Sequence, residues 1–445
     1  MEQKRADRKE VLRMLVTLSI PTLLEEVLRT LLQYVDTAMV GRLGEQATAA
    51  VSVTTTITWL INSISGAAGV AVLAMISRAV GCSNEKQIRK ISEQALLLTV
   101  FFGVLTGGVS ILLSPYIPVW MGAEEAIQRE ASVYFMIISL PMVFRSAGII
   151  LGAAIRGTKD TKTPMLISIG SNLLNAVLNY LLIYTAGLRV TGAAAASAAS
   201  YTVSGLLMFI AYRKNKKLHW RWKSFRADGQ LLKECVDIGV PVLGTNMASC
   251  LGYVVFAGLV SGMGTAVFAA HSIAVTAETI FYVPGYGLRT ATSTLVGISL
   301  GENNREKLEM VSKLSIALTV GMMFLSGVIL YFVSYPLMSL FTPVWEVASL
   351  GAAMLRLVAF SEPFFGLMIV LEGIYYGMGR TRYAFFAETG SMWGIRILFT
   401  FLCVTVWKLD LQAVWYCMIA DNICKALLFM LPAKKYVFGE MKEKK

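Results

Sequence analysis

Twelve times along the chain an apolar run recurs that is long enough to cross a bilayer as a helix, which takes about 20 residues. The runs are approximately Met14 to Ala38, Val51 to Ser77, Ala95 to Leu113, Val133 to Ile155, Met165 to Tyr184 and Ala193 to Tyr212. They continue with Val236 to Val260, Val267 to Leu295, Leu314 to Phe332, Leu350 to Tyr376, Phe385 to Val406 and Leu411 to Leu431. A chain that is 56% hydrophobic and 15% charged, with a mean hydropathy of +0.63, is too apolar for a water-facing surface. The runs are long and continuous, not alternating segments of about ten residues, so helices are expected and a barrel is not.

The net charge of +12 invites a nucleic-acid reading, and the placement of the 40 Lys and Arg removes it. With a cytoplasmic amino terminus, 30 fall in inner segments and four (Arg42, Arg129, Arg189, Lys408) in outer ones. That bias sets orientation in a membrane and puts both termini in the cytoplasm. The charged start, Met1 to Glu10, precedes a first span with charges of its own and no small-residue cleavage site, so it reads as retained. Six cysteines without a CxxC pair imply apolar packing, with no disulfide framework or zinc site.

Sliding the chain by 220 residues aligns Pro21 with Pro241, Val40 with Val260, Gly44 with Gly264, Ser52 with Ser272, Gly81 with Gly301, Asn84 with Asn304, Gly157 with Gly377 and Thr161 with Thr381. A single gap-free offset from the first helix to the fifth signals a duplicated unit. The expected fold is all-α and integral to the membrane: twelve transmembrane helices in two six-helix bundles, 1–212 and 234–445, joined by a basic cytoplasmic linker, 213–233. Each half has an even number of spans, so the repeats are parallel and their pseudo-twofold axis runs along the membrane normal. Trp220 and Trp222 in the linker suit the headgroup zone.

An ionisable side chain at bilayer depth is a functional candidate by default. In the first span, Glu25, Arg29, Gln33 and Asp36 share one helical face, about 80° wide at 100° per residue. Glu25 or Glu26 can pair with Arg29 at i,i+4 or i,i+3. Asp36 has no base at helical spacing, so its carboxylate needs a proton, a metal ion such as Na+ or a cationic substrate, or else satisfaction by hydroxyls and asparagines. Ser168, Asn172, Asn175 and Asn179 form a polar stripe on the fifth span, suited either to solvating an ion or to bonding between helices. On the eighth span His271, Glu278, Tyr282, Gly285 and Arg289 share a face. Glu278 is a proton or organic-cation candidate with the Tyr282 ring beside it, against the reading of a salt bridge to another helix. His271, near the outer end, reads as satisfied or water-facing, and Asp421 with Lys425 as a structural i,i+4 pair. Glu362, Glu372, Glu388, Arg145, Arg356 and Arg396 are left without a role.

No GxxxxGK[ST], HExxH or GxSxG occurs, so ATP hydrolysis by the chain, protease and esterase chemistry are not expected, nor is any cofactor beyond a coupling ion. Two matched bundles flanking a midplane site suit alternating access. Alternatives are a lipid-linked saccharide flippase of related two-lobe architecture and a non-transporting sensor or enzyme. The flippase would need a strongly cationic cavity, whereas eight acids against six bases lie within the spans.

With these residues placed, the sequence resembles the multidrug and toxic compound extrusion (MATE) family of bacterial transporters. The likeness rests on Ser19-Ile20-Pro21 and Tyr34-Val35-Asp36-Thr37-Ala38-Met39-Val40-Gly41, supported by Arg156-Gly157-Thr158-Lys159-Asp160-Thr161, Val283-Pro284-Gly285 and Gly377-Met378-Gly379-Arg380-Thr381. The resemblance implies outward antiport of small, often aromatic organic cations against inward Na+ or H+; a monomer in the bacterial cytoplasmic membrane is expected. Asp36 would be the coupling residue. Asn179 stands where some members carry an acid, and no acid appears on the seventh span, whose nearest polar groups are Asn246 and Ser249; Glu278 is the candidate substitute.

Overall fold

The computed structural model describes residues 2–218 and 227–437, and every regular element among them is helical. The linker tryptophans Trp220 and Trp222 lie outside the described residues. The first repeat comprises α1 (Glu2–Gly41), α2 (Glu45–Gly81), α3 (Glu85–Leu113), the single turn α4 (Ile117–Trp120), α5 (Glu125–Ser139), α6 (Met142–Gly157), α7 (Lys162–Thr185) and α8 (Arg189–Lys214). The second comprises α9 (Gly229–Ser261), α10 (Thr265–Gly301), α11 (Arg305–Phe341), α12 (Trp345–Ala359), α13 (Glu362–Gly377), α14 (Thr381–Val406) and α15 (Leu411–Tyr436).

Among the described residues, nine helices are long and apolar enough to span a membrane, and two bent pairs make up to eleven. The twelfth expected span lies in α1, which misses that group because Glu25, Glu26, Arg29 and Asp36 interrupt its apolar stretch. Large apolar side chains such as Leu112, Phe332 and Leu340 point outward, as they would into acyl chains.

The 220-residue register holds in the backbone. Gly44 and Gly264 take φ of +109° and +115° where they open α2 and α10, a region closed to most side chains. Ser83 and Asn303, at +52° and +51°, precede Asn84 and Asn304, whose side chains cap α3 and α11 by accepting from the amides of Gln87 (3.1 Å) and Lys307 (2.9 Å). The α5–α6 and α12–α13 pairs bend by 51° and 57° at equivalent points, beside Pro141 and just before Pro363. Gly157 lies against Ile76 as Gly377 lies against Val296. α7 and α14 both end in wider π-type turns, at Tyr180–Thr185 and Leu402–Val406, and α14 carries a further one at Met392–Ile397.

Two compact units emerge, and their boundaries differ from those of the repeats. One is Leu24–Leu243; the other is Met1–Leu23 together with Gly244–Lys445. Ion pairs explain why the start of α9 goes with the first unit: Arg78 to Glu234 at 3.0 Å and Lys90 to Asp228 at 3.1 Å. Close contact explains the complementary assignment of the start of α1. The Thr22 hydroxyl donates to the carbonyl of Gly287 at 2.8 Å, and a Cβ on Gly287 would lie 2.7 Å from the Leu23 nitrogen.

Candidate ion-coupling site

Within the unit Leu24–Leu243, the polar faces of α1, α7 and α8 converge. The Asn179 amide donates to a carboxylate oxygen of Asp36 and, at 3.3 Å, to the side-chain oxygen of Asn175. The Asn175 amide in turn donates to the Ser197 hydroxyl at 3.3 Å. Asn179 is fully buried at the last turn of regular helix before the π-type turns, and its own Oδ1 has no hydrogen-bond partner. Tyr184, on those turns, ties α7 back to α1 by donating to the carbonyl of Met39 at 2.7 Å. Among the described residues Asp36 has no salt bridge, so its charge is met only by an uncharged amide. One turn along α8 from Ser197, the Tyr201 ring carries the Arg145 guanidinium at 4.1 Å, and one guanidinium nitrogen of Arg145 is buried without a partner.

The rest of the α1 stripe is arranged differently. Arg29 pairs with Glu26 at 2.5 Å, while Glu25 is held by Arg156 through both carboxylate oxygens, at 2.7 and 2.9 Å. Glu25 therefore has a fixed counter-charge that i,i+4 spacing did not reveal. Arg156 lies in the last turn of α6, one position past the expected fourth span, among the bases of an inner segment. Gln33 is exposed, and Asn172 is half-buried and outside the hydrogen-bonded chain of Asn175 and Asn179. Ser197 was missed; its signal is a small hydroxyl at helical spacing with Tyr201 in an alanine-rich run.

In the unit of Met1–Leu23 and Gly244–Lys445, Glu278 is buried. The Tyr282 hydroxyl lies 3.2 Å from that of Thr279, and its ring packs edge-on against Phe365. Arg289 is neutralised by Glu372 at 2.7 Å. Asp421 joins Lys425 at 3.0 Å, as its i,i+4 spacing predicts, and also Arg396 at 2.9 Å and the Ser391 hydroxyl at 2.6 Å. His271 departs from expectation: it is buried between the rings of Phe256 and Trp415, with Nδ1 unpartnered, so it is neither water-facing nor satisfied. Arg356 donates to the Ser334 hydroxyl at 3.0 Å. No group of three or more His, Cys, Asp or Glu that could hold a metal occurs among the described residues.

A duplicated helical membrane protein that carries ionisable side chains within its spans, Asp36 among them without a salt bridge among the described residues, has the build of a transporter. The MatE family model matches it twice, over residues 21–181 and 241–402, again about one repeat apart, and the chain belongs to that family. It is 26% identical to the probable multidrug resistance protein NorM of Thermotoga maritima, over 96% of this chain and 93% of that one. It is 24% identical to the multidrug resistance protein PmpM of Pseudomonas aeruginosa, covering 88% and 83%. In fold it is similar to MATE crystallised with MaL6, at a TM-score of 0.92, 21% identity and 96% coverage of both chains. It is likewise similar to the outward-facing conformation of a multidrug resistance MATE family transporter, at 0.91, 21% and 96% of both chains.

Proposed function

We propose that this multi-pass membrane protein exports small organic cations from bacterial cells by antiport against an inward cation, with Asp36 as the coupling carboxylate. The observation that carries the reading is Asp36 itself: a carboxylate on a helix of the expected first span, hydrogen-bonded by the neutral amide of Asn179 and without a salt bridge among the described residues. A carboxylate in that position gains most from a proton or a small cation, and occupancy by either biases a two-unit protein between conformations. For Na+, Asp36 and the unpartnered Oδ1 of buried Asn179 are oxygen donors of the kind a hard cation prefers. The names of the relatives NorM and PmpM support multidrug substrates. The bias of Lys and Arg toward inner segments supports an orientation with both termini in the cytoplasm.

The test is uptake of a fluorescent cation into everted vesicles under an imposed Na+ or pH gradient, which reads direction and coupling ion together. Asp36→Asn is expected to abolish gradient-driven uptake while the protein remains in the membrane. Uptake retained at the wild-type rate would remove Asp36 from the mechanism.

A further inference from the structure

Two opposite charges in the unit Leu24–Leu243 stand outside its ion pairs. Among the described residues of its helices, Glu25 is held by Arg156 at 2.7 Å, Glu26 by Arg29 at 2.5 Å and Glu93 by Arg89 at 3.9 Å. Asp36 meets only the amide of Asn179, and Arg145 lies over the Tyr201 ring at 4.1 Å with its Nη1 buried and without a hydrogen bond. Both charges lie around one phenol. Tyr134 of α5 is buried, and its hydroxyl is within electrostatic reach of Asp36, of Arg145 and of Tyr201.

Local structure fixes Arg145 in that place. The 51° bend beside Pro141 falls between Tyr134 and Arg145, and it draws together two positions that a straight helix would hold about 16 Å apart. α6 and α8 then approach closely: the backbone of Phe144 leaves no room for a Cβ on Gly205, and a Cβ on Gly148 would lie 3.6 Å from the Ser204 hydroxyl. That contact is one residue from Arg145 and one turn from Tyr201, so it sets the guanidinium on the ring. Arg145 is the fourth residue of α6, where the positive end of the helix dipole adds to its charge instead of opposing it. The dipole and the side chain both favour an anion there.

A guanidinium with a buried, unpartnered nitrogen gains most from an anionic acceptor, which it binds through charge-assisted hydrogen bonds. A carboxylate without a base gains most from a cation. Asp36, Arg145 and Tyr201 are each half-buried, so each keeps a face open to a bound molecule. We infer that Arg145 recognises an anionic group of the exported molecule, with Tyr134 and Tyr201 beside its aromatic body and Asp36 toward its cationic end. The substrates are then aromatic zwitterions that carry a carboxylate as well as an amine, a narrower class than organic cations at large. This deepens the proposed export role and rests on it. Arg145 sets specificity and takes no part in ion coupling.

The test uses the full-length protein in lipid nanodiscs and two dyes that share one aromatic cation: a rhodamine with a free carboxylate and its methyl ester. Fluorescence polarisation, corrected for empty nanodiscs, reads Kd for each. The wild type is expected to bind the free acid about tenfold more tightly than the ester, the size of one charge-assisted hydrogen bond. In Arg145→Gln that preference is expected to vanish, through weaker binding of the acid, while the ester, which offers no anion, moves far less. Arg145→Lys, a point charge without the planar fork, is expected to keep part of the preference. In everted vesicles Arg145→Gln is expected to raise KM for the acid and not for the ester. A wild type without preference for the acid overturns the assignment, as does an Arg145→Gln protein whose preference is unchanged. Should Arg145→Gln bind neither dye, Arg145→Lys decides: a narrowed preference upholds the assignment and an unchanged one overturns it. Failure of the Asp36 reading would register instead as gradient-driven uptake of both dyes by Asp36→Asn at the wild-type rate, with the acid still preferred through Arg145.

Discussion

Both carboxylate oxygens of Glu25 on α1 bond one guanidinium nitrogen of Arg156 at the end of α6, 131 positions later, at 2.7 and 2.9 Å. The side chains are 10% and 17% exposed, so either charge left alone would be largely desolvated. Truncating one partner of such a pair costs about 3 kcal/mol, the lower end of the range for buried pairs, part of it recovered when both are made neutral. Arg156→Gln and Glu25→Gln are each expected to lower the melting temperature, and the double substitution to fall short of the sum of the two. Thermal unfolding of the four proteins in one detergent checks this; additive losses would show that the two groups do not interact.

Asn179 bears on function more than on stability. Its hydrogen bond to Asp36 is charge-assisted when the carboxylate is ionised, and such a bond contributes about 1.5 to 3 kcal/mol. Asn179→Leu therefore removes both a donor and the unpartnered oxygen beside Asp36. The apparent affinity for the coupling ion in driven uptake is expected to change roughly tenfold to a hundredfold, since about 1.4 kcal/mol is a factor of ten: downward for Na+, which loses an oxygen donor, and upward for H+, because the ionised carboxylate loses its hydrogen bond. Asn175→Ala, one hydrogen bond further from the carboxylate, is expected to change it by less. Equal effects of the two would mean that Asp36 senses the whole amide chain and not Asn179 alone.

Much of the architecture was legible from local signals. Apolar runs, the charge bias and the 220-residue offset depend on short-range pattern, and the offset reappears in the φ angles of Gly44 and Gly264 and in the caps at Asn84 and Asn304. The convergence of Asp36 with Asn179 was foreshadowed by two polar stripes, since polar faces in lipid must meet each other. Long-range partners were not legible. Nothing in the spacing of Glu25 announces Arg156, of Arg289 announces Glu372, or of Asp421 announces Arg396. Those pairings depend on which helix faces meet after folding. For the same reason the start of α1 read as part of its own repeat, although tertiary contact at Gly287 assigns it to the other unit.

The paired glycines Gly157 and Gly377 separate close packing that can yield from packing that cannot. A Cβ at position 157 would sit 2.9 Å from Cγ2 and 3.1 Å from Cβ of Ile76, contacts with a side chain that a shift of a few tenths of an ångström relieves. At position 377 it would sit 2.4 Å from the backbone carbonyl of Ser293, which can move only if α10 moves. Overpacking costs about 1 to 3 kcal/mol. Gly157→Ala is expected near the lower end of that range and Gly377→Ala at or beyond the upper end, read as the difference in melting temperature. A larger loss at 157 would contradict the ranking.

Outside the membrane, Asp228 opens α9, accepting from the amides of Gln230 (3.1 Å) and Leu231 (3.3 Å) and from Lys90 (3.1 Å). The Lys90 hydrogen bond, with help from those amides, holds its carboxyl below the usual carboxylate value. A depressed folded-state value means that the charge adds stability above the unfolded value of 3.8 and loses it as pH falls through the lower folded value. Asparagine also caps helices, so Asp228→Asn removes the charge while keeping the cap. At neutral pH the first turn of α9 is expected to exchange its amide hydrogens faster in Asp228→Asn than in the wild type. As the medium is acidified past the usual carboxylate range, wild-type protection is expected to decline toward that of the variant while the variant holds steady. Hydrogen exchange across 229–235 at several pH values, corrected for intrinsic rates, measures this. A gap that persists undiminished in strong acid would assign the effect to the shape of the side chain and not to its charge.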